Sequence, residues 1–179
     1  CVPSKAVIRS ARWAHEARVA RDLGLGTRAG DHAGGHPGDE ALPDFGAAME
    51  RMRRIRARIS HEDSAERYSR EFGIDVYFGN ARFRDAETVE VDGVPLRFKK
   101  AVVATGARAS APPVEGLEQA GYLTNETVFE LTERPARLAV IGAGPIGCEL
   151  AQSFQRLGSR VSLVEGAPQI LVREDPDAA

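Results

Sequence analysis

The chain has 179 residues, 42% hydrophobic and 28% charged, with a formal net charge of −2 at pH 7. That balance belongs to a globular protein with room for one ample domain or two small ones. It supplies no field for nucleic acid or an anionic membrane surface, and no apolar run reaches the ~18 residues of a membrane-spanning helix. Cys1 and Cys148 are the two cysteines; so distant a pair makes no disulfide framework and fits a reducing cytoplasm.

The first segment reads as a helix from Pro3 to about Leu23. Proline suits an initial helical position, alanine is frequent, and Gly24 and Gly26 end the run. Residues 24–46, rich in Gly, Asp and Pro, read as a mobile loop. A second helix is expected over residues 45–59, where Phe45, Met49, Met52, Ile55 and Ile59 form one apolar stripe. Arg51, Arg53, Arg54, Arg56 and Arg58 fall mostly off it; with so little net charge they read as a solvated face rather than a nucleic-acid surface. "HEDSAERYSREFG" is a short helix ending at Gly73.

The period then changes to two. Residues 74–78, 81–83, 88–91 and 95–98 cluster β-formers between turns, and Asp92-Gly93 is a good hairpin turn. "KKAVVATGA" predicts a buried strand over residues 101–104, running into Thr105-Gly106. The last third reads as a strand (138–141), a glycine turn, a helix (about 146–157) and a strand (161–165). A domain boundary is expected between residues 131 and 132. The four histidines, His15, His32, His36 and His61, lie in helix or loop text and read as surface residues, and no metal site is assigned.

Gly142-x-Gly144-x-x-Gly147 follows a strand and opens a helix, the context in which this spacing carries meaning. Gly142 permits the tight turn, Gly144 lets the backbone approach a pyrophosphate, and Gly147 lets helix and strand pack closely. The helix start presents N–H groups and partial positive charge to phosphate. Glu165 ends the second strand, where a carboxylate can accept from both ribose hydroxyls and repel a 2′-phosphate. NADH is therefore expected in preference to NADPH. Cys148 reads as a small packing residue. Cys1 stands before a helix with Lys5 one turn along, and both effects favour thiolate; from spacing alone this reading and an unremarkable thiol stand level.

"CVPSKAVIRSA" resembles the second half of the redox-active motif of the class I pyridine nucleotide–disulfide oxidoreductases, FAD flavoproteins in which another cysteine lies five positions earlier. "FGNARF" (78–83) resembles the family's stretch against the FAD adenine, "VVATGA" (102–107) its second FAD-associated motif, and the stretch around Gly142 its NAD(P)H motif, all in the family's order. The resemblance implies an α/β fold of two dinucleotide-binding domains. Residues 1–131 would be part of the FAD-binding domain, helices plus a β-meander, and 132–179 the first βαβ of a Rossmann-like NAD(P)H domain.

Position by position, the resemblance makes Cys1 the flavin-facing catalytic thiol and Lys5 the lysine beside the isoalloxazine. Gly79 and Ala81 would meet the adenine, and Ala104, Thr105 and Gly106 would pass close to FAD. Gly142, Ala143, Gly144, Pro145, Ile146, Gly147 and Glu165 would hold the nicotinamide nucleotide. Electrons would run from NADH through FAD and a cysteine pair to substrate. "YLTNETVF" (122–129) and "REDPDAA" (173–179) are most similar to mercuric reductase-like sequences, which implies Hg(II) reduction; a dihydrolipoyl dehydrogenase or glutathione-reductase-like activity is the alternative, and a non-catalytic redox sensor a third. The expectation is an internal fragment, inactive alone, of a cytoplasmic homodimer that pairs through a domain outside this text.

Overall fold

The computed structural model describes residues 1–25 and 43–178. Most of the loop expected over 24–46, with His32 and His36, lies outside the described residues. The chain forms two compact units, Cys1–Ala57 with Gly116–Ala179, and Arg58–Glu115.

In the first unit, α1 (Val2–Asp22) and α2 (Phe45–Ser60) fall where the apolar spacing puts them. Asp44 starts α2, its Oδ1 accepting the Ala47 N–H at 2.8 Å, a side-chain N-cap. After α4 (Leu117–Ala120) and a 3₁₀ turn (Val128–Glu130), β4 (Arg137–Ile141), α5 (Pro145–Arg156) and β5 (Arg160–Val164) form a βαβ unit. The two strands are parallel, with Leu138 opposite Val161 and Ile141 opposite Val164.

The core of this unit draws on α1, α2, the 3₁₀ turn and α5. Val7 and Ala11 of α1, Phe45, Met49 and Met52 of α2, Val128 and Phe129, and Phe154 and Leu157 at the end of α5 are buried together. The Phe45 and Phe154 rings meet at 5.6 Å, tilted by 49°. Phe154→Ala removes the largest fully buried side chain and is expected to cost about 3–5 kcal/mol. Denaturant unfolding of the full-length protein tests this; a midpoint unchanged at constant slope would place Phe154 outside the stabilising core.

Of the five arginines of α2, Arg51, Arg54, Arg56 and Arg58 are exposed and Arg53 is half-buried, as a solvated face expects. Arg51 donates to the Ala6 carbonyl at 3.2 Å, Arg53 to the Leu131 carbonyl at 2.7 Å, and Arg56 pairs with Glu130 at 3.1 Å. Two of these guanidinium groups thus reach main-chain carbonyls of neighbouring segments. Arg18 of α1 likewise donates at 2.8 Å to the carbonyl of Arg156, the last residue of α5, where the helix has unsatisfied acceptors.

In the second unit, α3 (Ala65–Phe72) starts at Ser64, whose Oγ accepts the Arg67 N–H at 3.2 Å, and ends at Gly73, φ +64°. A three-stranded antiparallel meander follows: β1 (Ala81–Asp85), β2 (Thr88–Val91) and β3 (Val94–Arg97). Asp92 (φ +43°) and Gly93 (φ +89°) make the hairpin turn, the left-handed pair that matches strand twist. Phe83 and Phe98 stack edge-on at 5.8 Å.

Two expected strands do not form. Residues 74–78 and 101–104 have no ladder partner and are extended and exposed, with Phe78 at 82%, Val102 at 90% and Val103 at 69%. β-formers supply side chains for a sheet but become a strand only against a neighbour's hydrogen-bonding edge. Among the described residues no helix is long and apolar enough to cross a membrane.

Candidate functional site

β4 delivers the chain to Gly142, whose N–H still reaches the Val164 carbonyl at 2.8 Å. Gly142 then turns with φ +104°, a conformation that costs glycine little and other residues much. Gly144 is extended (φ −71°, ψ 178°), Pro145 opens α5, and the Cys148 N–H closes the first helical turn on the Gly144 carbonyl at 3.0 Å. The three glycines differ in their surroundings. A Cβ at Gly147 would collide with the Gly142 carbonyl, so this glycine sets the closeness of helix and turn. A Cβ at Gly144 would meet nothing within 4 Å, so here the backbone is open to a phosphate approaching the N–H groups of α5. Ile146 is exposed beside it.

Ala143, between the first two glycines, is fully buried at 0% exposure. Its N–H donates to Glu165 Oε2 at 2.7 Å, and its carbonyl accepts from the Leu171 N–H at 2.9 Å and from Cys148 Sγ at 3.3 Å. The other carboxylate oxygen of Glu165 accepts from Gly166 N–H at 2.8 Å and Ala167 N–H at 3.0 Å. The Ala143 N–H, then those of Ala167 and Gly166, hold the Glu165 carboxyl below the usual carboxylate range against a smaller desolvation. A depressed folded-state pKa keeps Glu165 ionised at neutral pH; its stabilising contribution is present above the unfolded value and is lost as pH falls through the folded one. Cys148 is half-buried, its thiol donating to the Ala143 carbonyl of the turn.

Cys1 is exposed and caps α1. Its carbonyl accepts from the Lys5 N–H at 3.1 Å and from Ser4 Oγ at 3.0 Å, which fixes the helix start on which the thiol stands. Lys5, one turn along, is also exposed.

The remaining predicted positions lie in the second unit. Gly79 has φ +150°, and a Cβ there would run into the Asp92 carboxylate. Asp92 Oδ1 accepts the Asn80 N–H at 3.1 Å, and Ala81 pairs with Val91. Ala104, Thr105 and Gly106 are exposed; Gly106 turns at φ +70° with open space where a side chain would be. Backbone bared in this way suits the close approach of a flat cofactor. Asp92, Leu171 and the Glu165–Ala143 bond escape a reading by motif. "VDG" announces a turn, but nothing local says that its carboxylate reaches back 12 residues.

The description "Pyridine nucleotide-disulphide oxidoreductase" matches residues 1–179. A mercuric reductase of Lysinibacillus sphaericus is 35% identical over 177 residues, covering 99% of this chain and 30% of the relative. Among solved structures, LpdA from Mycobacterium tuberculosis superposes with a TM-score of 0.71 at 26% identity, over 100% of this chain and 38% of that one. The Cu(II) complex of the HOCl-induced flavoprotein disulfide reductase RclA from Escherichia coli has the same fold, with a TM-score of 0.72 at 24% identity over 99% and 34%. The chain thus spans about a third of the length of the proteins it matches.

Proposed function

The chain belongs to the pyridine nucleotide-disulphide oxidoreductase family, and on that footing we propose that it carries the flavin-facing thiol and the nucleotide turn of an FAD-dependent NADH:disulfide oxidoreductase of the mercuric reductase kind. The observation that carries the reading is the pairing of two helix starts in one compact unit, Cys1 on α1 and the open glycine turn on α5.

Residues 132–179 take the nucleotide. The N–H groups at the start of α5 receive the pyrophosphate across Gly144, with Ala143, Pro145, Ile146 and Gly147 shaping the turn. Glu165, held ionised, faces the adenosine ribose. A 2′-phosphate there would set like charges together in the place of two hydrogen bonds. NADH is expected to exceed NADPH in kcat/KM by at least ~100-fold; steady-state kinetics in which NADPH equals NADH would refute the ribose assignment.

Residues 1–131 take the FAD side. Ala104, Thr105 and Gly106 bare their backbone to it, Gly79 and Ala81 meet its adenine end, and Lys5 lends positive charge beside Cys1. FAD, when bound, supplies the exchange between a hydride and the electron pair that opens a disulfide. Cys1 holds the thiolate on the flavin side, stabilised by the helix start and Lys5. A partner cysteine, five positions upstream in the parent protein, exchanges with substrate, since exchange proceeds by thiolate attack. The parent acts as a cytoplasmic homodimer.

Hg(II) is the favoured substrate because a relative named mercuric reductase aligns over 99% of the chain. Hg(II)-dependent NADH oxidation by the full-length protein in a thiol buffer tests it. Faster turnover with lipoamide or glutathione disulfide would assign a disulfide substrate instead.

A further inference from the structure

Resting on the nucleotide-turn reading, we propose that Glu165 is a positioning residue for phosphate recognition: by accepting the Ala143 N–H it holds the glycine turn in the form that receives the pyrophosphate, so that one carboxylate serves both the ribose and the phosphate end of the site.

Ala143 sits between Gly142 and Gly144, and a residue flanked by glycines is the loosest kind of backbone. Yet it is completely buried and pinned by three contacts. Glu165 Oε2 holds its N–H at 2.7 Å, the Leu171 N–H holds its carbonyl at 2.9 Å, and Cys148 Sγ adds a contact at 3.3 Å. Glu165 and Leu171 are the two ends of a single loop, so residues 166–170 close back on the turn. Leu171 keeps φ +50° while making its bond, a left-handed conformation that a leucine adopts at a cost. The glycines permit the turn, and the bonds from the β5 side fix Ala143 within it. A carboxylate needed for the ribose alone has no reason to grip Ala143.

Charge makes the two roles separable. Inorganic pyrophosphate touches the phosphate cradle and has no ribose. If Glu165 acts on ribose alone, removing its negative charge should leave pyrophosphate binding unchanged or tighten it. If Glu165 holds the turn, the same change should weaken it. The test is competitive inhibition by pyrophosphate against NADH in the full-length holoenzyme, compared for Glu165→Gln and Glu165→Asp. Glu165→Gln keeps one acceptor oxygen and turns an NH2 toward the other donors, so it cannot satisfy the Ala143 N–H together with those of Gly166 and Ala167, and it is expected to weaken pyrophosphate inhibition by about tenfold. Glu165→Asp, which keeps the charge but loses the reach to Ala143, is expected to weaken pyrophosphate similarly while still excluding NADPH, and it stands in should the glutamine variant fail to fold. Pyrophosphate inhibition unchanged or tighter in either variant, beside a raised KM for NADH, overturns the positioning role and leaves the ribose role intact. A KM for NADH unmoved by both variants overturns the nucleotide-turn reading and the proposal with it.

Discussion

Cys1→Ser in the full-length protein is expected to lower substrate reduction by at least ~10³-fold, because a serine hydroxyl neither ionises near neutral pH nor forms a disulfide. The fold should survive. Cys1 is exposed and makes no side-chain cap to α1; its carbonyl receives the Ser4 and Lys5 donors, and serine keeps that carbonyl. The measurement that isolates the role is the long-wavelength absorption of a thiolate lying against flavin on two-electron reduction. It should vanish in the variant, while NADH oxidation by acceptors that bypass the thiols persists. A Cys1→Ser protein that keeps the band, or turns over Hg(II) at the parent rate, sinks the assignment.

The second large effect separates two glycines that a motif treats alike. Gly147→Ala puts a methyl group into the Gly142 carbonyl. That obstacle is backbone and cannot swing aside, so helix and turn must part, at about 1–3 kcal/mol or more. Gly144→Ala meets open space, at a φ of −71° that alanine adopts freely. It is expected to leave stability within ~0.5 kcal/mol of the parent and to raise the KM for NADH by at least ~10-fold, because the methyl group occupies the approach of the pyrophosphate. Thermal unfolding paired with NADH kinetics checks both. Equal loss of stability in the two variants would show that Gly144 packs rather than receives, and an unchanged KM for Gly144→Ala would remove the turn from the nucleotide site.

What could be read in advance follows the range of the forces involved. The helices were open to inspection because their information is local: the stripe from Phe45 to Ile59, the stop at Gly73. The meander and the βαβ unit followed from alternation, from Asp92-Gly93 and from the glycine spacing. Residues 74–78 and 101–104 were misread for the complementary reason. Their β-formers state a preference, and what makes a strand is an edge to pair with, which no local pattern reports. The solvated face of α2 was legible, while the reach of Arg51 and Arg53 to the carbonyls of Ala6 and Leu131 was not, since those lie 45 and 78 residues away in sequence. At the nucleotide turn the glycines and Glu165 were visible as types at the right spacing. The bond joining Glu165 to Ala143 was not, because it depends on where two strand ends meet in space.

The shared core of the first unit bears on how such a protein can be altered. Val7 and Ala11 stand on the helix that carries the thiol, Phe154 and Leu157 on the helix that follows the nucleotide turn, and they are buried in one cluster. A chimera that exchanged residues 132–179 for a relative's nucleotide half, to change coenzyme preference, would cut through that cluster and leave Val7, Phe45 and Met49 facing strangers. Grafts that keep the inner faces of α1 and α5 as a matched pair, and vary only the turn and the loop after Glu165, respect the unit in which this chain folds.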